Sequence, residues 1–194
     1  MLLMRMVQLC RKKISSMSSF SNKIVKWYKN NGRHDLPWRK NISPYSIWIS
    51  EIMLQQTQVK TVIPYFNKFL KKYPNLEALI QASEDEILAQ WSGLGFYRRA
   101  KNIYKACRVI SENFNNKFPT NIKDLESLPG IGRSTAGAIM SIAFNEGHPI
   151  LDANVKRVLG RYKKISFKTE NEKQKKLWLI SEKLTPNKES FEYT

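Results

Sequence analysis

The sequence predicts an all-α protein, and two observations support that prediction. Apolar residues recur at the three- and four-residue spacing of amphipathic helices in almost every segment beyond residue 20. No convincing run of alternating apolar and polar residues, the pattern of a half-buried strand, occurs. The composition, with 42% hydrophobic and 25% charged residues in 194, is that of an ordinary globular protein. It excludes a disordered basic tail and a collagen-like chain.

The helical pattern is divided by residues that end or begin helices. Pro37 and Pro44 are helix breakers and predict a loop over 33–44. Ser83 and Glu86 stand three residues apart, the spacing of a capping box at a helix start. In chain order, we expect helices at 22–31, 46–59, 62–72 after a bend near Pro64, from 84 onward, 96–113, 122–127 and 133–143.

The charge balance indicates a polyanionic partner. The chain carries 33 Lys and Arg against 16 Asp and Glu, a net charge of +17, and both ends are more basic than the middle. Such an excess suits a phosphate backbone, because Lys and Arg release counterions when they neutralise phosphates. The alternative is that the lysines merely solvate helix faces.

The two cysteines, Cys10 and Cys107, restrict the kinds of site that this chain can hold. They exclude a disulfide scaffold and any zinc or iron-sulfur site made of four cysteines from this chain. A reducing, intracellular setting is the expectation. No apolar run approaches the ~20 residues of a membrane span, so no membrane partner is expected.

Residues 1–19 are interpreted as a basic N-terminal extension. They hold four basic residues and no acid, which is loosely similar to a mitochondrial transit peptide. We favour a dispensable extension or a misassigned start, because Met17 stands just before the first helical pattern.

Two turns with a Gly-hydrophobic-Gly pattern join predicted helices. They are Gly93-Leu94-Gly95 and, after Leu128-Pro129, Gly130-Ile131-Gly132. Glycine permits positive φ, and the N–H groups that open the next helix form an anion site. For the second turn the anion would be a DNA phosphate. The alternative is an ordinary helix C-cap leading into another helix.

Two carboxylates are candidates for catalysis. Glu51 is the only acid between Leu36 and Leu76 and sits in an apolar run. Desolvation there would raise its pKa and let it act as a general acid. Asp152 is followed by Lys156 and Arg157, which would keep it ionised. The alternatives are an exposed polar position for Glu51 and a helix N-cap for Asp152. Together the pair suits cleavage of a glycosidic bond.

A family resemblance rests on the second glycine turn and four further motifs. The turn, the small-residue helix at 133–138 and the later Asp152 resemble the helix-hairpin-helix DNA glycosylase superfamily. The motifs at 36–39, 48–59, 93–100 and 150–157 together are similar to the adenine DNA glycosylases of the MutY family. They contain Leu36-Pro37-Trp38-Arg39, Glu51 with Gln55-Gln56-Thr57, Gly93-Leu94-Gly95-Phe96-Tyr97 and Leu151-Asp152-Ala153-Asn154.

The resemblance implies a helix-hairpin-helix glycosylase fold over residues 20–194. It implies a six-helix lobe at about 45–145, a second lobe from 20–44 plus 146–194, and an active site in the cleft between them. The implied function is hydrolytic removal of adenine mispaired with 8-oxoguanine or guanine, by a monomer acting on double-stranded DNA. The implied location is the bacterial cytoplasm, or the nucleus or mitochondrion in a eukaryote.

Roles for single residues also follow from the resemblance. Glu51 would protonate the imidazole side of a flipped adenine, and Asp152 would stabilise the cationic sugar. Ser134 stands where strand-cutting relatives have a Schiff-base Lys, which favours a monofunctional enzyme. Phe96 replaces a Tyr that stacks beside the opposing base, and Ala153 replaces a common Gly. The pocket-lining set is Trp38, Arg39, Ser134 and Asn154; the DNA-contacting set is Gln55, Gln56, Phe96, Tyr97, Gly130, Ile131, Gly132, Arg133 and Ser134.

This chain is not expected to bind the family's 4Fe-4S cluster, because it has only two cysteines. The resemblance implies that its four cysteines would lie beyond Thr194, so a truncated chain without a metal site is expected. Two alternatives remain open. One is a catalytically inactive, truncated DNA-binding remnant. The other is an endonuclease III-like pyrimidine glycosylase, against which Ser134 and the run Gln55-Gln56-Thr57 argue.

Overall fold

The computed structural model describes residues 19–164 and 169–194, and the predicted N-terminal extension lies almost wholly outside them. The described residues fold into helices joined by turns and contain no strand, which confirms the all-α prediction. The helices are α1 Ser19–Asn31, α2 Pro37–Lys40, α3 Pro44–Leu54, α4 Val59–Lys72, α5 Leu76–Ile80, α6 Glu84–Trp91, α7 Arg98–Asn113, α8 Ile122–Ser127, α9 Arg133–Ala143, α10 Ala153–Lys163, α11 Glu170–Leu184 and α12 Ser190–Tyr193.

The expected loop at 33–44 is wrong in its second half, because its two prolines begin helices rather than break them. Pro37 opens α2 and Pro44 opens α3. A proline in the first turn forfeits no helical hydrogen bond, and its fixed φ suits the helix. At α3 the start is reinforced by Ser43 and Ser46, which form a reciprocal capping box.

The boundaries of the next helices also differ from the prediction. α3 ends at Leu54, and α4 begins at Val59 and runs through Pro64, which is exposed inside it. The short helix α5 was not predicted. The capping box of Ser83 and Glu86 is present at the start of α6. The bounds of α8 and α9 agree with the prediction.

A large core surrounds α3. Ile47, Trp48 and Ile49 are three consecutive residues with no exposed surface, so this helix is covered on every side. α4 and α9 pack directly against it. Covering all faces of one helix requires neighbours from distant parts of the chain, and the core accordingly takes residues from α2 to α9.

A smaller core lies beside the large one. It is formed by Leu151, Leu159, Leu177 and Leu184, with α10 packed on α11. The ends of the described chain meet near this region, since α1 packs against α12 and Lys29 pairs with Glu189. The predicted lobe boundaries remain a prediction. Trp38, which that prediction assigns to the second lobe, packs in the large core.

Within the described ranges, no helix is long and apolar enough to cross a membrane.

The turn between α8 and α9 makes different demands on its two glycines. Gly130 has φ +84°, and a Cβ there would lie 2.8 Å from Asn102 Cβ. Gly132 has φ −92°, and a Cβ there would meet nothing within 4 Å.

We therefore expect Gly130→Ala to lower the free energy of unfolding by ~1–3 kcal/mol, because a side chain at positive φ is strained and Asn102 must shift. Gly132→Ala is the matched control and should change it by less than ~0.5 kcal/mol. Urea unfolding of both variants gives the two values, and equal losses would contradict this account of the turn.

Candidate active site

A cleft of about 1110 Å³ lies where the end of α3, the start of α7, α9 and the start of α10 meet. It brings together eight of the residues singled out from the sequence. They are Glu51, Gln55, Gln56, Phe96, Tyr97, Ser134, Asp152 and Asn154. Another depression, of about 860 Å³, is lined by residues between Asp35 and Pro74 and contains none of them.

Glu51 lies in the last turn of α3, at the edge of the large core. Its neighbours Ile52 and Met53 are buried, and its own side chain is half-buried in the cleft wall. Loss of solvation raises the pKa of Glu51 to about 7; the positive charge of Arg39 opposes this, and the negative charge of Asp152 adds to it. The alternative of an exposed position for Glu51 is therefore excluded, and a carboxyl group with a raised pKa lines the cleft, as the sequence predicts.

Asp152 is the N-cap of α10. Its Oδ1 accepts the backbone N–H of Val155 at 2.7 Å, and the side chain is exposed in the cleft. The capping interpretation and the cleft position therefore hold for the same residue. The expected ionic partners are engaged elsewhere, because Lys156 donates to Gln174 at 3.1 Å and Arg157 donates to Asn154 at 3.3 Å.

Small residues on α9 hold the segment that leads to Asp152. The Ser134 hydroxyl accepts the Leu151 N–H at 2.9 Å, and Ser141 both accepts from and donates to the His148 backbone. At Gly137, a Cβ would lie 2.7 Å from the Pro149 carbonyl oxygen, so the segment crosses the helix in close contact. Ser134, Gly137 and Ser141 are three and four residues apart and so lie on one face of α9. That face holds the segment 148–151, which precedes Asp152.

Two residues of the predicted DNA-contacting set have left-handed backbone conformations. Gln56 has φ 58° and Phe96 has φ 51°. Such values are uncommon for residues with long side chains and are found at functional sites. Phe96 and the adjacent Tyr97 are 56% and 47% exposed, so two aromatic rings stand on the cleft rim. Gln55 points across the cleft to Thr135, with 3.4 Å between Nε2 and Oγ1.

Arg99 is a residue to which the sequence interpretation gave no role. It lies in the first turn of α7 and is 6% exposed, and its guanidinium donates to the carbonyl oxygens of Ile52, Met53, Gln55 and Gly95. A signal existed in the sequence. Arg99 shares the spacing of the buried residues Ile103, Ala106 and Ile110, so an arginine occupies the apolar face of the helix.

Several predicted site residues lie away from the cleft lining. Trp38 is buried with its ring 5.3 Å from Phe66. Arg39 donates to the Phe191 carbonyl at 3.2 Å, and its charge acts on Glu51 through space. Their predicted place in the base pocket stays a prediction.

The residues of the second glycine turn also lie outside the lining. Ile131 is buried, Gly130 and Gly132 shape the turn, and Arg133 bonds to Glu182 at 2.5 Å while stacking 3.9 Å above the Trp178 ring. Their predicted phosphate contacts stay a prediction.

The family's cluster has no fitting ligand set in the part of the chain that the structure describes. No group of three or more His, Cys, Asp or Glu side chains there could hold a metal ion. The one cysteine within those ranges, Cys107, is fully buried in the large core, and burial raises its pKa to about 12. A neutral, enclosed thiol of this kind is a packing residue.

A family model for "HhH-GPD superfamily base excision DNA repair protein" matches residues 49–183. The chain belongs to this HhH-GPD superfamily. Helices α3 to α11 fall within the matched range wholly or for most of their length, and so do Glu51, Asp152 and the turn at Gly130.

Curated relatives of this HhH-GPD chain are named adenine DNA glycosylases. The protein from Buchnera aphidicola subsp. Schizaphis graminum is 54% identical over 168 residues, which are 86% of this chain and 48% of that one. The protein from Rattus norvegicus is 41% identical over 161 residues, 78% of this chain and 31% of that one. The chain thus spans about half the length of the bacterial relative. Among solved structures, a thermostable thymine-DNA glycosylase is 30% identical with a TM-score of 0.76, covering 90% of this chain and 81% of its own.

The raised pKa of Glu51 makes a prediction about stability. The ordinary pKa of Glu51 is 4.5, and in the folded state it is about 7. At pH values between these two, Glu51 keeps a proton in the folded state that it has lost in the unfolded state. The free energy of unfolding therefore falls as pH rises through this window. Glu51→Gln should remove the penalty, giving a variant that is more stable than the parent by ~1–3 kcal/mol at pH 8 and equal to it near pH 4.5. Urea unfolding at both pH values measures this difference, and a constant offset between the two proteins would contradict it.

Proposed function

We propose that this chain carries the catalytic part of an adenine DNA glycosylase, which hydrolyses the bond between adenine and deoxyribose in a mispair with 8-oxoguanine or guanine. The observation that carries the proposal is the carboxyl pair of the cleft, in which a desolvated Glu51 and an exposed Asp152 line the same cavity. The similarity to relatives favours adenine, rather than a pyrimidine, as the base that is removed. Identity is 54% to an adenine DNA glycosylase and 30% to the thymine-DNA glycosylase.

Glu51 is the general acid in this mechanism. Its pKa of about 7 leaves a proton available near neutrality. The proton passes to the imidazole side of the adenine while the bond from C1′ to the base breaks and its electron pair leaves with the base. Water then adds to C1′ and loses a proton, which the Glu51 carboxylate accepts, so that the acid is regenerated.

Asp152 stabilises the positive charge that develops on the sugar. Its Oδ1 is held by the Val155 N–H at 2.7 Å, which fixes the direction of the carboxylate at the start of α10. The Ser134 bond to Leu151 holds the preceding residue and so limits movement of the loop. A fixed anion stabilises a transition-state cation better than a mobile one, because no reorganisation is required during the reaction.

The adenine must leave the helical stack to reach this pair, since the bond is inaccessible inside a duplex. Phe96 and Tyr97 are exposed at the cleft rim and offer ring faces on which bases stack. Gln55 and Gln56 offer amides that can pair with exposed base edges. The turn at 130–132 would take a backbone phosphate, consistent with the net charge of +17.

Ser134 favours hydrolysis without strand cleavage. Its hydroxyl accepts the Leu151 N–H, and it cannot form the Schiff base that a lysine forms with the sugar. The proposed protein acts as a monomer, and no step uses a cluster. Its substrate lies where chromosomal DNA does, in the bacterial cytoplasm, or in the nucleus or mitochondrion of a eukaryote.

The test is single-turnover release of adenine from a duplex with a central adenine opposite 8-oxoguanine, read as strand breaks after heating in alkali. The parent chain should release the base, while Glu51→Gln should lower the rate by at least ~10³-fold and still bind the duplex. Glu77→Gln, an exposed acid on α5, is the matched control and should retain the parental rate. Binding by all three proteins without base release would identify a DNA-binding remnant instead.

The pH dependence of this rate follows from the same pKa. The single-turnover rate should decline above about pH 7, approaching a tenfold loss per pH unit, as Glu51 loses its proton. Rates from pH 5.5 to 9, measured with saturating enzyme, give the profile. A single-turnover rate that stays constant up to pH 9 would show that Glu51 is not the general acid.

A further inference from the structure

The guanidinium of Arg99 occupies an unusual place beneath the cleft rim. Its Nη1 donates to the carbonyl oxygens of Met53 and Gln55 at 2.6 Å and of Ile52 at 3.2 Å, where α3 ends. Its Nη2 donates to Gly95 at 3.1 Å, in the turn that precedes α7. One buried cation therefore fastens two loops that are about 40 residues apart in the chain.

Each loop places a left-handed residue directly after a carbonyl that Arg99 binds. Gln56, with φ 58°, follows Gln55, and Phe96, with φ 51°, follows Gly95. An L-residue in this conformation is strained and persists only when its surroundings hold it there. The carbonyl contacts of Arg99 supply such a restraint on both loops at once.

Ring contacts add to the restraint on the second loop. The Arg99 guanidinium carbon lies 5.2 Å from the centre of the Phe96 ring and 5.5 Å from that of Trp91. The Trp91 indole N–H also donates to the Gly95 oxygen, at 3.1 Å. Movement of Gly95 would therefore disturb the cation, the indole and the exposed ring of Phe96 together.

We propose that Arg99 is a positioning residue that couples the Gln56 loop to the Phe96 loop, so that both side chains meet the duplex as one preorganised unit and discriminate the adenine mispair from normal pairs. The part of this inference that concerns the DNA duplex rests on the proposed function. The coupling of the two loops rests on geometry alone. Arg99 does not touch the reacting atoms. Arg99 prevents the Gln56 loop and the Phe96 loop from moving independently, so less conformational entropy is lost when both side chains bind the duplex.

The coupling can be measured without DNA, through amide hydrogen exchange. Thr57 N–H donates to Leu54 in the first loop, and Leu94 N–H donates to Trp91 in the second. Arg99→Lys keeps the charge but cannot serve four carbonyls with the fixed geometry of a guanidinium. Exchange at both amides should rise together by at least about tenfold, as expected for the loss of one charged hydrogen bond.

Arg108→Lys is the matched control. Arg108 also belongs to α7, is half-buried and donates to a backbone carbonyl, that of Ile80, but it does not line the cleft. This variant should leave both exchange rates unchanged. If Arg99→Lys raises exchange at one amide only, or at neither, the two loops are not coupled through Arg99 and the proposal is overturned.

If Arg99→Lys does not fold, the parent chain supplies the test. In urea concentrations below the unfolding transition, exchange at Thr57 and Leu94 should follow the same dependence on urea, because the two loops open as one unit. Two different dependences would overturn the coupling.

Duplex selectivity tests the second half of the proposal. The ratio of Kd for an undamaged duplex to Kd for the adenine mispair should fall about tenfold in Arg99→Lys and stay unchanged in Arg108→Lys. A general loss of stability would weaken binding to both duplexes equally and leave the ratio unchanged, and an unchanged ratio overturns the proposed role. If the parent chain neither prefers the mispair nor releases adenine, the proposed function fails, while the exchange experiment still decides whether Arg99 couples the loops.

Discussion

The burial of α3 along most of its length is the constraint on which the site depends. Three consecutive residues of this helix, Ile47 to Ile49, have no exposed surface, so α4 and α9 must pack around it. The last turn of the same helix carries Glu51 to the edge of the core. The packing that stabilises the fold thus also removes solvent from one carboxyl group, and the pKa of Glu51 rises because of where the helix ends rather than because of a dedicated partner.

The part of the cleft that holds Asp152 is built by a different means. Asp152 is exposed, and hydrogen bonds rather than burial fix its position. The segment before it is fastened by Ser134 and Ser141 on α9 and by Ser181 on α11, whose hydroxyl donates to the Ile150 carbonyl at 2.7 Å. The two carboxyl groups therefore have different environments. Glu51 is desolvated, which raises its pKa to about 7, whereas Asp152 stays in contact with water.

The sequence was sufficient for the helical class, for the capping box at Ser83 and for the bounds of α8 and α9, because these depend on local spacing and capping. The sequence prediction failed at Pro37 and Pro44. A proline breaks a helix in its interior but favours a helix in its first turn, and the residue type alone does not distinguish the two positions.

The same division applies to the site. Eight of the residues selected from motifs line one cleft, but the roles given to Trp38 and Arg133 depended on side-chain directions that tertiary packing sets. The helical spacing of Arg99 indicates that it is buried, but its partners are backbone carbonyls, which no side-chain pattern identifies.

The cleft gathers features that each oppose folding. A desolvated acid, left-handed backbone at Gln56 and Phe96, and two exposed aromatic rings all lie within it. Each is costly by itself, so their concentration in one place indicates selection for something other than stability. The large core supplies the stability that tolerates them, and Arg99 is the link between the two. It is anchored to the end of the buried helix α3, and through Gly95 it holds the strained rim to which the proposed function assigns contact with DNA.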